Sequence, residues 1–212
     1  MKLNSYNNLL ELFFDQYKKQ DKNNIFLINL GNPKHKLSWQ KTYLLVNHLS
    51  NQISKDIKLG DRCVLISENR PEWLISDLAI MLAGGISVPS YTTYTTKDYE
   101  YIIKDCEPSV LIVSNNTQFN KIKDILDYKK IKKIISFDRL ENLKFQNYLC
   151  IEDIINKKDG FENFDSEISL KRSDPACIIY TSGTQGNPKG VILSHGGILS
   201  NCEGGYELLK SI

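Results

Sequence analysis

Short apolar runs alternate with amphipathic stretches along most of the chain. Apolar residues three or four positions apart predict helices, and uninterrupted apolar runs bounded by Gly, Pro or Asn predict buried strands. The predicted strands are 25–30, 62–67, 86–88, 110–113, 134–137, 176–180 and 190–194. The predicted helices are 5–21, one that begins after Ser38, 71–82, 97–105 capped by Thr96, 117–126, 151–155 and one that begins near Gly197.

From Gly60 onward, strands and helices follow one another in turn, which predicts an α/β fold class with parallel-rich sheets covered by helices. The run 110–113 (VLIV) contains no polar residue, as is typical of a parallel strand buried on both faces. Pro71 supports the start of a helix, because proline is tolerated in the first turn. We therefore expect strand–helix–strand units with right-handed crossovers.

Composition and charge exclude several classes of protein. The chain has 27 basic and 25 acidic residues, a net charge of +2, so no strong field would recruit nucleic acid. Its longest uncharged apolar stretch, 78–88, is shorter than the roughly 20 residues of a membrane-spanning helix, and the N-terminus lacks the apolar core of a signal peptide. Five widely spaced cysteines without a CxxC pair indicate neither a disulfide framework nor a zinc site. We expect a cytoplasmic protein that binds no nucleic acid.

The stretch 121–133 contains six lysines and two aspartates. Such a stretch is more often a solvated helix face than a contact with anionic lipid headgroups. We therefore favour a solvated face, with peripheral membrane contact as the alternative.

The segment 179–190 (IYTSGTQGNPKG) is the densest group of candidate ligand-binding residues. Its glycines permit close approach of backbone N–H groups, and its hydroxyls and one ammonium add donors, a combination suited to a polyphosphate. An ordinary polar hairpin between two strands is the alternative. The candidate binding residues are Thr181, Ser182, Gly183, Thr184, Gln185, Gly186 and Lys189.

This loop is not a Walker A loop. Counted from Gly183, the position of the second glycine is held by Pro188, and Lys189 is followed by glycine rather than Ser or Thr. The sequence also contains no Rossmann GxGxxG, HExxH or GxSxG motif.

The string YTSGTQGNPKG, followed by Val191 and Ser194-His195, resembles the phosphate-binding signature of the adenylate-forming superfamily. Gln185 stands where that signature usually has Thr or Ser. Upstream segments 60–64, 67–73 and 84–89 resemble the amino-terminal half of long-chain fatty acid–CoA ligases. The resemblance extends from about residue 38 to the end of the chain.

This resemblance implies ATP-dependent activation of a long-chain fatty acid to an acyl-adenylate and then to acyl-CoA, with ATP, Mg²⁺ and coenzyme A taking part. The candidate loop residues would bind the β- and γ-phosphates. The family's aromatic-Thr-Glu element, its ribose-binding Asp and the lysine of its carboxy-terminal domain are not found in these 212 residues.

We therefore expect residues 1–212 to be an incomplete amino-terminal AMP-binding domain, inactive by itself, whose partner is the remainder of its own polypeptide. No metal ligand is predicted, and the catalytic residues are not assigned. Two alternatives stay open. One is another adenylating enzyme, such as a peptide-synthetase adenylation domain or another acid–CoA ligase, and the other is a non-catalytic binding fragment of the same fold.

Overall fold

The computed structural model describes residues 3–33, 35–155, 169–181 and 188–209. A short 3₁₀ helix, Leu3–Ser5, precedes the helices α1 (Leu9–Lys19), α2 (Trp39–Ser54), α3 (Pro71–Leu82), α4 (Thr96–Cys106), α5 (Asn116–Asn120), α6 (Ile151–Ile155) and α7 (His195–Leu209). The strands are β1 (Ile25–Ile28), β2 (Lys36–Ser38), β3 (Arg62–Ile66), β4 (Ile86–Ser90), β5 (Val110–Val113), β6 (Lys133–Ser136), β7 (Tyr148–Cys150), β8 (Pro175–Thr181) and β9 (Lys189–Ser194).

A seven-stranded sheet, in the order β7-β6-β5-β3-β4-β8-β9, forms the centre of the described structure. Its strands are parallel except for β9, which runs antiparallel to β8. The strands β1 and β2 pair with each other in a separate antiparallel sheet. The predicted α/β class with a mostly parallel sheet is confirmed.

Helices cover both faces of the main sheet, and the side-chain alternation of the central strand shows how. Cys63 and Leu65 belong to the apolar cluster that includes α2 and α3. Val64 and Ile66 belong to the cluster that includes α4. All four side chains are fully buried. Burial on both faces is the reason that β3 lacks the polar–apolar alternation of a half-exposed strand.

Some local predictions differ from the structure. The helix predicted over 117–126 ends at Asn120, and the apolar residues Ile122 and Leu126 are buried from turns rather than from a helix. The N-cap of α4 is Thr95 rather than Thr96, because the Thr95 hydroxyl accepts from the Asp98 N–H while the Asp98 carboxylate accepts from the Thr95 N–H. The strands β2 and β7, of three residues each, are not among the predicted strands.

The lysine stretch 121–133 does not form one helix face. Lys133 is 5 % exposed and donates to the Asp56 carboxylate at 2.5 Å. Lys130 and Lys132 form ion pairs with Glu107 and Asp61. Much of the charge of this stretch is therefore paired within the chain. The prediction of a solvated helix face is wrong in that these residues do not form a helix. None of the helices in the described part of the chain combines the length and apolar character needed to cross a bilayer.

Candidate functional site

The strands β8 and β9 form a hairpin that presents the candidate binding loop. The pairing runs from Pro175 opposite Ser194 to Thr181 opposite Lys189. The sequence predicts a first strand that ends at 180 and a second that begins at 190, so the observed ladder is one residue longer on each side. This last pair holds the two ends of the loop close together, because the Cβ atoms of directly opposite residues lie about 5 Å apart.

Of the predicted site residues, the structure brings together Thr181 and Lys189, and both side chains are exposed. The other five lie outside the described residues, and their role stays a prediction: Ser182, Gly183, Thr184, Gln185 and Gly186.

Tyr180 anchors the hairpin immediately before the loop. Its hydroxyl donates to the Asp105 carboxylate at 2.5 Å, and its carbonyl accepts from the Tyr94 hydroxyl at 3.1 Å. Burial, together with the Asp105 carboxylate, raises the pKa of the Tyr180 hydroxyl well above its usual value, so this hydroxyl stays protonated and keeps donating. The opposite residue is Gly190, where a Cβ would lie 3.0 Å from Ile178 Cγ2 and 3.2 Å from the Tyr180 ring. A larger residue here would force these two side chains to shift by a few tenths of an ångström.

A cleft of about 700 Å³ lies at the carboxyl ends of the parallel strands. The helix that follows β3 covers one face of the sheet and the helix that follows β4 covers the other. Adjacent strands whose connections leave toward opposite faces open a crevice at which α/β proteins characteristically bind ligands. The cleft also contacts β8, the strand that leads to the candidate loop. Its lining includes Ser67, Asn69, Tyr91, Trp73, Cys177 and Ile179.

Asp77 of α3 is a partly buried carboxyl on the wall of this cleft. Burial raises its pKa to about 6, and the nearby Ser87 hydroxyl offsets a smaller part of that shift. Of the described residues that line the cleft, the charged ones are Asp77 and Glu68, and both are acidic. Asp77 is not among the predicted site residues, although a single acidic residue within the apolar run LISDLAIML is a signal for it in the sequence.

We expect Asp77→Asn to stabilise the protein at pH 7 by about 1–3 kcal/mol, because it removes a carboxylate that is costly to ionise where it lies. The folded-state pKa is raised, so between about pH 4 and pH 6 the folded state holds a proton that the unfolded state has lost. The free energy of unfolding of the wild type therefore falls as pH rises through that window, and the gain from the variant is absent below about pH 4.

Urea unfolding of the wild type and variant at pH 4 and pH 7 measures this effect. Asp124→Asn, at an exposed aspartate, is the matched control and should change stability by less than about 0.5 kcal/mol. A gain for Asp77→Asn that is equal at the two pH values would contradict the assignment.

Solved structures similar to this chain are adenylate-forming enzymes. The anthranilate CoA ligase AuaEII in complex with anthranoyl-AMP superposes with a TM-score of 0.73 and 24% identity, over 92% of this chain and 36% of that one. A red-emitting luciferase from Phrixothrix hirtus superposes with a TM-score of 0.69 and 19% identity, over 90% of this chain and 36% of that one. At these identities the likeness establishes the fold, which is that of an adenylate-forming enzyme domain.

The family model of the AMP-binding enzymes matches residues 13–210. The chain belongs to this family. Curated relatives include the long-chain-fatty-acid–CoA ligase ACSBG1 of Rattus norvegicus, 29% identical over 201 residues, which are 92% of this chain and 26% of that protein. They also include ACSBG2 of Xenopus laevis, 33% identical over 176 residues, 79% of this chain and 23% of that protein. The chain spans about a quarter of the length of these relatives.

Proposed function

We propose that this chain supplies the ATP phosphate-binding hairpin of an AMP-forming long-chain fatty acid–CoA ligase. The observation that carries the proposal is the ordered string YTSGTQGNPKG, set between two strands whose last pair is Thr181 and Lys189. The similarity to the ACSBG1 and ACSBG2 ligases supports the fatty acid as substrate. Because the chain spans about a quarter of those relatives, the complete reaction would need further parts of the same polypeptide.

The proposed reaction has two steps. A fatty acid carboxylate oxygen attacks the α-phosphorus of ATP, and pyrophosphate leaves with the electrons of the broken P–O bond. The coenzyme A thiolate then attacks the acyl carbonyl carbon, and AMP leaves. In the first step this chain's contribution is to position the β- and γ-phosphates and to balance their charge with loop N–H groups and the Lys189 ammonium.

The proposal includes Mg²⁺ as a companion of ATP, but assigns no step to it. Within the described ranges, no three His, Cys, Asp or Glu side chains are grouped so as to hold a metal ion. A cytoplasmic location, with or without a peripheral membrane contact through the lysine stretch 121–133, belongs to the same proposal.

The purified 212-residue chain should bind ATP yet release no pyrophosphate when incubated with ATP, Mg²⁺, palmitate and coenzyme A. The loop and Lys189 would still contact the phosphates of ATP, whereas adenylation also needs the family's adenine-, ribose- and magnesium-binding groups, which are not found in the sequence. Calorimetric titration with ATP measures the binding, and a coupled pyrophosphate assay measures the release. Pyrophosphate release clearly above a blank without protein would contradict the second part, and absence of ATP binding would count against the phosphate-loop assignment.

The substrate is tested on a longer polypeptide that contains this chain. Palmitate should stimulate ATP–pyrophosphate exchange far more than acetate, anthranilate or phenylalanine does. Preference for an amino acid would favour a peptide-synthetase adenylation domain, and absence of exchange with every acid would favour a non-catalytic binding fragment.

A further inference from the structure

The N-terminal segment 3–9 lies against the base of the β8–β9 hairpin, more than 160 residues away in sequence. At this base the chain enters β8 through Arg172 and Asp174 and leaves β9 through His195 and Gly196. The two ends are held together because the His195 N–H donates to the Asp174 carbonyl at 3.1 Å and the Gly196 N–H donates to the Arg172 carbonyl at 2.8 Å.

The Arg172 guanidinium joins three parts of the chain. One of its terminal nitrogens donates to the Tyr6 carbonyl at 2.7 Å and to the Leu3 carbonyl at 3.5 Å. The other donates to the Gly196 carbonyl at 3.3 Å and to the Ser200 hydroxyl at 3.3 Å. A planar, rigid donor fork suits this geometry, because it holds several acceptors in fixed relative positions.

His195 and Asn8 add two contacts to the same junction. The Leu9 N–H donates to His195 Nδ1 at 3.4 Å, and the Asn8 side chain donates to the Leu170 carbonyl at 2.9 Å while it caps α1. His195 is 1 % exposed. Burial lowers the pKa of its imidazole and the Asp174 carboxylate opposes that shift, so the ring is neutral at pH 7 and Nδ1 is free to accept.

Within the described structure, the outer strand β9 has fewer supports than the inner strand β8, whose Ala176, Cys177 and Tyr180 are buried. The strand β8 pairs with β4 through one residue pair, Ser87 with Cys177, and β9 lies at the edge of the sheet. On the outer strand Val191 is 44 % and Ile192 is 63 % exposed. Toward the tip, the Tyr180 contacts with α4 and Tyr94 hold the inner strand. The base is therefore one of the contacts that set the direction of the hairpin and with it the position of Thr181 and Lys189, and it is the one closest to the end of the exposed outer strand.

We propose that Arg172 and His195 are positioning residues that fasten the N-terminal segment 3–9 to the base of the hairpin and thereby set where Thr181 and Lys189 lie. We call this junction of Arg172 and His195 with segment 3–9 the clasp. The expected effect of the clasp on ATP binding rests on the proposed function, since it assumes that the hairpin tip binds phosphate. The expected effect of the clasp on the order of the hairpin does not depend on that function.

Hydrogen exchange of backbone amides tests the clasp without any ligand. Arg172→Ala should raise the exchange rates of amides in β8 and β9 about tenfold or more, because charge-assisted hydrogen bonds are lost. Amides in β3 and β5 should stay within about twofold of the wild type. Lys171→Ala removes an exposed cation from the neighbouring position and is the matched control. Equal exchange in these two variants, or an equal rise throughout the sheet, would overturn the proposal.

Two further pairs of variants keep the test independent of whether Arg172→Ala folds. Gly196→Ala places a Cβ 2.9 Å from the Arg172 carbonyl oxygen, whereas the nearest atom to a Cβ at Gly197 is the Ser194 hydroxyl at 3.4 Å. Gly196→Ala should therefore loosen the hairpin, and Gly197→Ala should not. His195→Ala should also loosen it, but His195→Asn should retain protection, because the asparagine oxygen is as many bonds from Cβ as Nδ1 is. Identical behaviour within either pair would count against the clasp.

ATP titration then tests the functional consequence. The loosening variants should weaken ATP binding at least about fivefold, and Lys171→Ala, Gly197→Ala and His195→Asn should bind like the wild type. Unchanged ATP affinity in variants whose hairpin exchanges faster would overturn the positioning role. If the wild type binds no ATP, the proposed function fails, whereas the exchange results still decide whether the clasp exists.

Discussion

Replacing Arg70 with alanine is expected to lower the free energy of unfolding by about 3–5 kcal/mol, the range observed when one member of a buried ion pair is removed. The Arg70 guanidinium donates to the Asp138 carboxylate at 2.9 and 2.8 Å and to the Glu72 carboxylate at 3.3 Å from two nitrogens. It also lies over the Phe137 ring, 5.4 Å from the centroid. The side chain of Asp138 is 48 % exposed and can be solvated without Arg70. The side chain of Glu72 is 3 % exposed, so the penalty comes from Glu72, which is left as a buried carboxylate with His35, at 3.6 Å, as the basic neighbour that the structure shows.

Chemical denaturation at pH 7 measures this loss, and the chain contains a matched control. Arg139 pairs with Asp153 at 2.5 Å, but the two side chains are 63 % and 48 % exposed. Arg139→Ala should therefore cost no more than about 1 kcal/mol. Adding Glu72→Gln to Arg70→Ala should recover part of the stability, because it removes the uncompensated charge. Similar losses for the two arginine variants would show that Glu72 is not the source of the penalty.

The sequence predicted the parallel core of the fold well, for a physical reason. Strands such as Val110–Val113 are buried on both faces, so their apolar runs are complete and stand out from the helical segments around them. Prediction failed where tertiary contacts replace local pattern. Ile122 and Leu126 have helical spacing but are buried from turns, and Tyr148–Cys150 becomes a strand only because β6 pairs with it.

The sequence predicts the loop of the candidate site but not the residues that hold this loop in place. The string from Thr181 to Lys189 stands out because glycines, hydroxyls and a lysine are concentrated in it. The contacts that hold its flank join Tyr180 to Tyr94 and Asp105, which are 86 and 75 positions away, and nothing local in the sequence pairs them. The same holds for the contacts of the clasp, which depend on the closure of the whole sheet.

Lys189→Ala is expected to weaken ATP binding by this chain about ten- to a hundredfold, and to slow adenylation by a similar factor in a polypeptide that catalyses it. The reason is the loss of a charge-assisted contact to phosphate at the point where Lys189 pairs with Thr181 and the loop begins. The described part of the chain offers the exposed Lys189 side chain no ion pair, so stability should change by no more than about 0.5 kcal/mol. Thr184→Ala should act in the same direction but less, since a neutral hydroxyl contributes about 1 kcal/mol.

ATP titration paired with denaturant melts separates a binding role of Lys189 from a structural one. Lys189→Arg keeps the positive charge and should retain most of the affinity, and Lys129→Ala removes an exposed lysine of the 121–133 stretch and should retain all of it. If Lys189→Ala bound ATP as the wild type does, or lost affinity only together with several kcal/mol of stability, the segment would be an ordinary polar hairpin. Weakened binding at unchanged stability, with Lys189→Arg close to the wild type, identifies the positive charge at position 189 as a phosphate-binding group.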